Sequence, residues 1–128
     1  MKIWISALLV LLILFAPGAA LQAQGAELEE IFVFKATVET RNDTLHWEYN
    51  SPSAYEFHQG DTAFHDERAV KEVKEIYEKL QPEKGVSKEE LAARLLKNGY
   101  ADLERLDVRW QNDQGELHTW IWKKTPSS

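Results

Sequence analysis

Hydrophobic and polar residues alternate with a period of two in residues 31–39 and again in residues 44–49. In each segment the apolar side chains, such as Phe34 and Trp47, fall on one side of an extended chain. This alternation predicts strands with one buried face. Turn-forming residues at 41–43 join the segments, so we expect a β-hairpin.

The last third of the chain repeats this pattern. Residues 105–110 and 117–122 alternate, and residues 112–115 between them supply turn chemistry with a glycine for a positive φ angle. Trp110 shares its side of the strand with aliphatic residues and is expected in the core. A shorter alternation at 55–58 allows a further strand after the first hairpin.

Between the hairpins, apolar residues recur at the three- and four-residue spacing of amphipathic helices. Residues 66–80 carry such a stripe, with Asp66 as the expected N-cap. A second helix begins after Ser87, which forms a capping box with Glu90, and ends at residues 98–99.

The order of elements is ββ(β)ααββ. Consecutive hairpins favour an antiparallel sheet, and two amphipathic helices need one sheet face to cover. We therefore expect the α+β class: a two-layer sandwich in which an antiparallel sheet of four or five strands carries two helices on one face. One domain spans residues 31–124, followed by a frayed tail at 125–128, and the second sheet face is open to solvent or to a partner.

The first 23 residues have the organisation of a secretory signal peptide: a cation, a mainly apolar run and then small residues. The apolar run, residues 3–16, is shorter than the about 20 residues that span a membrane. We expect cleavage after Ala23; cleavage after Ala20 and an uncleaved anchor are the alternatives. Residues 24–30 are polar and acidic and are expected to form a flexible leader.

Composition narrows the function classes. The 128 residues carry a net charge of -6, which argues against nucleic-acid binding. The chain has no cysteine, which rules out a disulfide framework, a thiolate zinc site and a cysteine nucleophile. It also lacks a nucleophile elbow, a glycine-rich phosphate loop and a distinct carboxylate pair.

These features favour a non-catalytic binding module of the cell envelope or the extracellular space. Its expected partner is an envelope protein or a cell-wall component, and neither a cofactor nor a stable membrane anchor after cleavage is expected. Besides the alternatives placed on residues 58–66 below, a third hypothesis is a structural module that self-associates through open sheet edges.

Histidines and acids gather in one segment: His58, Asp61, His65 and Asp66 fall within nine residues. Imidazole and carboxylate groups suit zinc or copper, although this spacing matches no motif with an established mechanism. The alternative is a solvated loop in which His65 or Asp66 caps the following helix. Residues 58–66 also carry the alternative functions, namely a small secreted hydrolase, an enzyme inhibitor or a metal-binding protein.

Aromatic residues offer a second candidate site. Trp120, Trp122 and His118 point to the side of the last strand opposite Leu117 and Ile121. If they face outward, they form a strip that stacks on sugar rings or on a peptide. If they face the helices, they belong to the core.

Several segments together resemble the YusW-like family: the strand FVFKATVE, its partner LHWEY, the helix RAVKEVKEIYEKL and the closing unit LLKNGYADLERLDVRWQNDQGELHTWIWKK. The likeness covers about residues 31–124. These are small exported proteins of Bacillus-type bacteria, often lipoproteins, with no known function. The resemblance implies export and supplies no catalytic residues. Many members attach lipid to a cysteine that this chain lacks, which favours a released protein.

Overall fold

The structure, a computed structural model, describes residues 26–126 of the chain. The predicted signal peptide at 1–23 and the end of the predicted tail, 127–128, lie outside the described residues. The helices and strands, in chain order, are β1 (Val33–Thr40), β2 (Thr44–Asn50), β3 (Ala54–Gln59), β4 (Thr62–Phe64), α1 (Glu67–Leu80), α2 (Lys88–Lys97), β5 (Leu103–Gln111) and β6 (Leu117–Lys123). The α+β class is confirmed.

The strands form one antiparallel sheet in the order β4-β3-β2-β1-β5-β6. Strand β1 joins the two hairpins because it pairs with β2 on one edge and with β5 on the other. Ala36 of β1 thus lies between Trp47 and Val108. The sheet has six strands rather than four or five, since Gly60, with φ 58°, turns the chain back and adds the short β4.

Both helices pack on the sheet face that carries the apolar half of each alternating strand. Helix α1 buries Val73, Ile76 and Leu80, and helix α2 buries Leu91 and Leu95. The largest fully buried side chains from the sheet are Phe34, Val38, Trp47, Tyr49, Leu103 and Leu106. The core therefore lies between the two layers, as the sequence pattern predicts.

Predicted caps close both helices. The Asp66 carboxylate accepts the backbone N–H of Arg68 at 3.1 Å, and the Ser87 hydroxyl accepts the N–H of Glu90 at 3.0 Å. At the other end of α1, the Arg94 guanidinium donates to the carbonyls of Leu80 and Gln81 at 2.8 and 3.1 Å. Arg94 belongs to α2, so this contact holds the two helices together.

The predicted flexible leader is corrected for its second half. Residues Leu28–Glu30 form a 3-10 turn, and Leu28 is buried in the core. The Tyr77 hydroxyl donates to the Ala26 carbonyl at 2.7 Å and accepts the Trp110 indole N–H at 3.1 Å. An apolar residue within a polar stretch thus anchors residues 26–30 to α1.

Across residues 26–126, every helix is too short or too polar to traverse a bilayer.

The turn between β5 and β6 is built around the buried side chain of Asn112. Its Oδ1 accepts the backbone N–H groups of Gln114 and Glu116 at 3.0 and 2.9 Å, and its Nδ2 donates to the Glu116 carboxylate at 3.0 Å. Lys84 approaches the same carboxylate at 3.1 Å. These bonds hold the start of β6 in one register against β5.

Candidate functional site: the uncovered sheet face

The other half of each strand, polar in most strands but apolar at Leu117 and Ile121 of β6, forms a second sheet face that neither helix covers in residues 26–126. We call it the open face. At its centre, side chains from β1, β2 and β5 line a shallow depression of about 180 Å³. Its lining residues are Lys35, Thr37, His46, Asp107 and Arg109.

Two histidines stand side by side on the open face. His46 lies directly opposite His58, and their ring centroids are 5.7 Å apart. Nε2 of His46 is 3.1 Å from a Glu48 carboxylate oxygen, and Nε2 of His58 is 2.8 Å from a Glu56 oxygen. Because a carboxylate only accepts, the Nε2–H of His46 donates to Glu48. Its Nδ1 lies 2.8 Å from the Thr37 hydroxyl, which can either donate to it or accept from it.

Glu48 is the centre of this polar network. Partial burial raises the pKa of Glu48, but hydrogen bonds from His46 and Asn50 and the charge of Lys35 outweigh that effect. The net result is a pKa below the ordinary value. Glu48 is therefore ionised at neutral pH and holds the His46 ring at the rim of the depression.

Because the pKa of Glu48 is lowered in the folded protein, the dependence of stability on acid pH tests this network. The stability that Glu48 contributes is present above its unfolded pKa and is lost as the pH falls through the lower folded pKa. Between neutral and acid pH, we expect the free energy of unfolding to fall less in Glu48→Gln than in the wild type. The difference is under about 1 kcal/mol, because solvent screens this partly exposed group. Urea unfolding of the variant and the wild type at neutral and at acid pH measures this difference in the free energy of unfolding. The exposed Glu104→Gln is the matched control, and an equal effect in both variants would contradict the assignment.

Positive charge collects on the other half of the open face. Lys35 and Arg109 lie directly opposite each other on β1 and β5, an arrangement of like charges that destabilises a sheet. The Lys35 ammonium is 3.9 Å from Glu48, whereas the exposed Arg109 has no ion-pair partner among the described residues. Asp107 is already engaged by Arg105 at 3.6 Å. The arrangement leaves a cationic pair beside the depression.

The structure does not bring all four predicted metal ligands together, although His58 and His65 both approach Glu56. His58 lies on the open face, Asp61 lies in the β3–β4 turn, and Asp66 is used as the cap of α1. His65 only approaches Glu56, at 4.0 Å. No group of three or more histidine and acidic residues is placed to hold a metal ion within residues 26–126. The prediction of a metal site from these four residues is corrected here, because Asp61 lies in the turn and Asp66 caps α1, which leaves only the two histidines near Glu56.

The predicted aromatic strip does not lie on the open face. Trp120 and Trp122 lie opposite Val108 and Leu106 and share their side of the sheet, which faces the helices. The Trp120 indole donates to the Val86 carbonyl at 2.7 Å, and the His118 ring stacks on Trp120 with centroids 5.9 Å apart. All three side chains are half-buried against the core. Of the two alternatives, the structure therefore shows the one in which these side chains face the helices and pack against the core.

Sequence reasoning missed the residues that meet at the depression. Lys35, Thr37, His46 and Arg109 were visible only as the polar half of the strand alternation. Nothing in their spacing along the chain links residue 35 with residue 109. The pairing of β1 with β5 brings them together.

The chain matches no protein-family model, no curated protein and no solved structure.

Proposed function

We propose that this protein is an exported, non-catalytic binding module that holds an anionic group of an envelope partner on its open face. The observation that carries the proposal is the cationic pair of Lys35 and Arg109, set directly opposite each other next to the depression. A bound carboxylate or phosphate would relieve the repulsion between them. Arginine is suited to such a group because its planar fork presents two parallel donors.

The charge around the depression supports an anionic ligand despite the net charge of -6. On β1, β5 and β6 the open face carries more cations than acids: Lys35, Arg105, Arg109 and Lys123 against Glu39 and Asp107. The excess negative charge lies elsewhere: at residues 27–30, at Glu48 and Glu56 on β2 and β3, and in the turns, since the two helices carry seven cations against six acids. That overall charge repels long polyanions, so we favour an acidic segment of a protein over an anionic wall polymer.

Export and the resemblance to the YusW-like family stay predictions from the sequence, and the envelope location of the partner rests on them. The metal-dependent and hydrolytic alternatives, which used residues 58–66, gain no support from the placement of those residues. The binding role does not depend on the cleavage position, because the open face is built entirely from residues after 32.

Nuclear magnetic resonance titration with a hexaglutamate peptide tests the proposal. We expect the largest amide shifts at Lys35, Thr37 and Arg109, and a loss of affinity of at least about tenfold in the double variant Lys35→Ala/Arg109→Ala. A parallel titration with inorganic phosphate shows whether the site recognises any anion or a carboxylate-bearing chain.

The matched control removes two lysines from the helices, Lys71→Ala/Lys97→Ala, which changes the net charge by the same amount. Both control lysines are exposed. If the control loses as much affinity as the double variant, or if the shifts spread evenly over the helices, binding is diffuse and the proposal is wrong.

A further inference from the structure

The two edges of the sheet differ in how they are protected. Strand β4 closes one edge with only three residues. Strand β6 closes the other with seven, and its register against β5 runs without a bulge from Leu117 to Lys123. It contains no proline, and its only charge stands at its end. Natural sheets usually avoid such an edge, because its free backbone groups accept another strand.

The phase of the β5–β6 ladder shows which backbone groups are free. The N–H of Asn112 donates to Glu116 and the N–H of Lys124 donates to Glu104, at 3.1 and 2.9 Å. In an antiparallel pair the bonded residues alternate, so the even-numbered residues of β6 bond to β5. The backbone N–H and C=O groups of Leu117, Thr119 and Ile121 therefore point away from the sheet.

The same residues expose apolar surface. Leu117 is 62% exposed and Ile121 is 43% exposed, and they account for two of the four large hydrophobic side chains that are exposed in residues 26–126. Both lie on the open face, two residues either side of Thr119. The apolar positions are thus symmetric about Thr119.

We propose that a second copy of this chain pairs with this edge, β6 against β6 and antiparallel, about a two-fold axis at Thr119. Thr119 then lies opposite the partner's Thr119, and Leu117 lies opposite the partner's Ile121. All three pairs use outward-pointing backbone groups and form about six hydrogen bonds, two for each pair. The two sheets become one continuous sheet with the helices of both copies on the same side.

Self-complementarity is the reason to choose a second copy over an unrelated strand. A two-fold axis at Trp120 would set Leu117 against the partner's Lys123. An axis at Ile121 would set Thr119 against the partner's Lys123. Only the axis at Thr119 places both exposed apolar side chains opposite each other. This inference rests on the outward backbone groups of β6 and not on the anion-binding role: no β6 residue lines the depression, although Thr119 lies directly opposite Arg109.

One strand edge is small beside the about 1,200–2,000 Å² of stable complexes, so the dimer is expected to be weak and concentration-dependent. Sedimentation of the wild-type protein over rising concentration should show a reversible monomer–dimer equilibrium. Thr119→Lys and Thr119→Glu each place like charges at the axis and are expected to weaken dimerisation at least about tenfold. An equimolar mixture of the two variants is expected to restore it.

A cysteine at the axis reports the register directly, because the chain has no cysteine of its own. Cα atoms in a hydrogen-bonded pair are about 5.5 Å apart, within the range that a disulfide spans. We expect Thr119→Cys to form a cross-linked dimer on mild oxidation, and the matched Ile121→Cys to stay largely monomeric.

Three outcomes overturn the proposal: a wild-type protein that is monomeric at every concentration, a Thr119→Lys variant that dimerises as well as the wild type, or faster cross-linking at 121 than at 119. Capture of an unrelated β-strand peptide by a monomeric wild type also counts against it. Circular dichroism and thermal unfolding confirm that each variant is folded. Thr119→Lys adds a charge directly opposite Arg109, so the separating variant is Thr119→Pro, which removes an outward N–H without adding charge. Loss of the dimer with retention of hexaglutamate binding in Thr119→Pro separates this inference from the proposed function.

Discussion

Replacing Trp110 with Phe is expected to lower the free energy of unfolding by about 1–3 kcal/mol more than replacing Trp47 with Phe. Both indoles are buried, with 3% and 1% exposure, and both substitutions remove the same volume. The Trp110 N–H donates to the Tyr77 hydroxyl at 3.1 Å, whereas the Trp47 N–H is buried without a hydrogen-bond partner among the described residues. Trp110→Phe therefore removes a hydrogen bond, whereas Trp47→Phe removes a buried N–H group that has no acceptor among the described residues.

Urea unfolding of the two variants measures this difference. The control is a double-mutant cycle with Tyr77→Phe, because that variant already leaves the Trp110 N–H without its acceptor. In the Tyr77→Phe background we expect the two tryptophan substitutions to become similar in cost. Equal costs in the wild-type background would show that packing alone determines the effect of each indole.

Alkaline pH is expected to destabilise the protein by about 2 kcal/mol through Tyr77 alone. Burial raises the pKa of Tyr77 to about 12, and the nearby Glu27 and Glu30 act in the same direction while the bond from Trp110 acts against it. Below pH 10 both the folded and the unfolded chain keep the phenolic proton. Between pH 10 and pH 12 the unfolded chain releases it and the folded chain does not, so stability falls as the pH rises.

The measurement is the free energy of unfolding over this pH range, together with the absorbance of tyrosinate in the folded protein. Tyr77→Phe is expected to be less stable at neutral pH, where it lacks both bonds of the hydroxyl, and to show a shallower fall above pH 10. Some fall persists in the variant, because burial also raises the pKa of Tyr55 and of Tyr100. A fall as steep as that of the wild type would contradict the role of Tyr77.

Local signals account for the success of the helix predictions. A cap needs only a side chain and a backbone N–H two or three residues away, so Asp66 and Ser87 could be assigned from their neighbours. The two hairpins were equally visible, because alternation and turn residues stand next to each other in the chain. Strand β4 was missed because three residues are too few to show a period, and its existence depends on pairing with β3.

The candidate sites show the opposite case. Closeness in sequence suggested a shared site for His58, Asp61, His65 and Asp66, but Asp61 lies in the β3–β4 turn and Asp66 is used as the cap of α1, so within residues 26–126 the four do not form one site. The polar depression joins Lys35 to Arg109 across 74 positions of the chain. No local pattern reports such a pairing, since every polar residue on the outer side of a strand looks alike until its neighbours are known.

The orientation of the last strand makes the same point on a smaller scale. The sequence shows that Trp120 and Trp122 oppose Leu117 and Ile121, because side chains alternate along any strand. It leaves open which pair faces the helices, since both are large and apolar. Pairing with β5 resolves this: Val108 and Leu106 face the core and carry their partners Trp120 and Trp122 with them.

The sequence by itself therefore determined the α+β class, the helices with their caps and the two hairpins, because each follows from interactions within a few residues. The tertiary structure alone decided the strand order, the face on which the indoles lie, the anchoring of residues 26–30 and the meeting of Lys35 with Arg109. These features depend on how surfaces from distant parts of the chain pack against each other, and no short segment of the sequence contains that information.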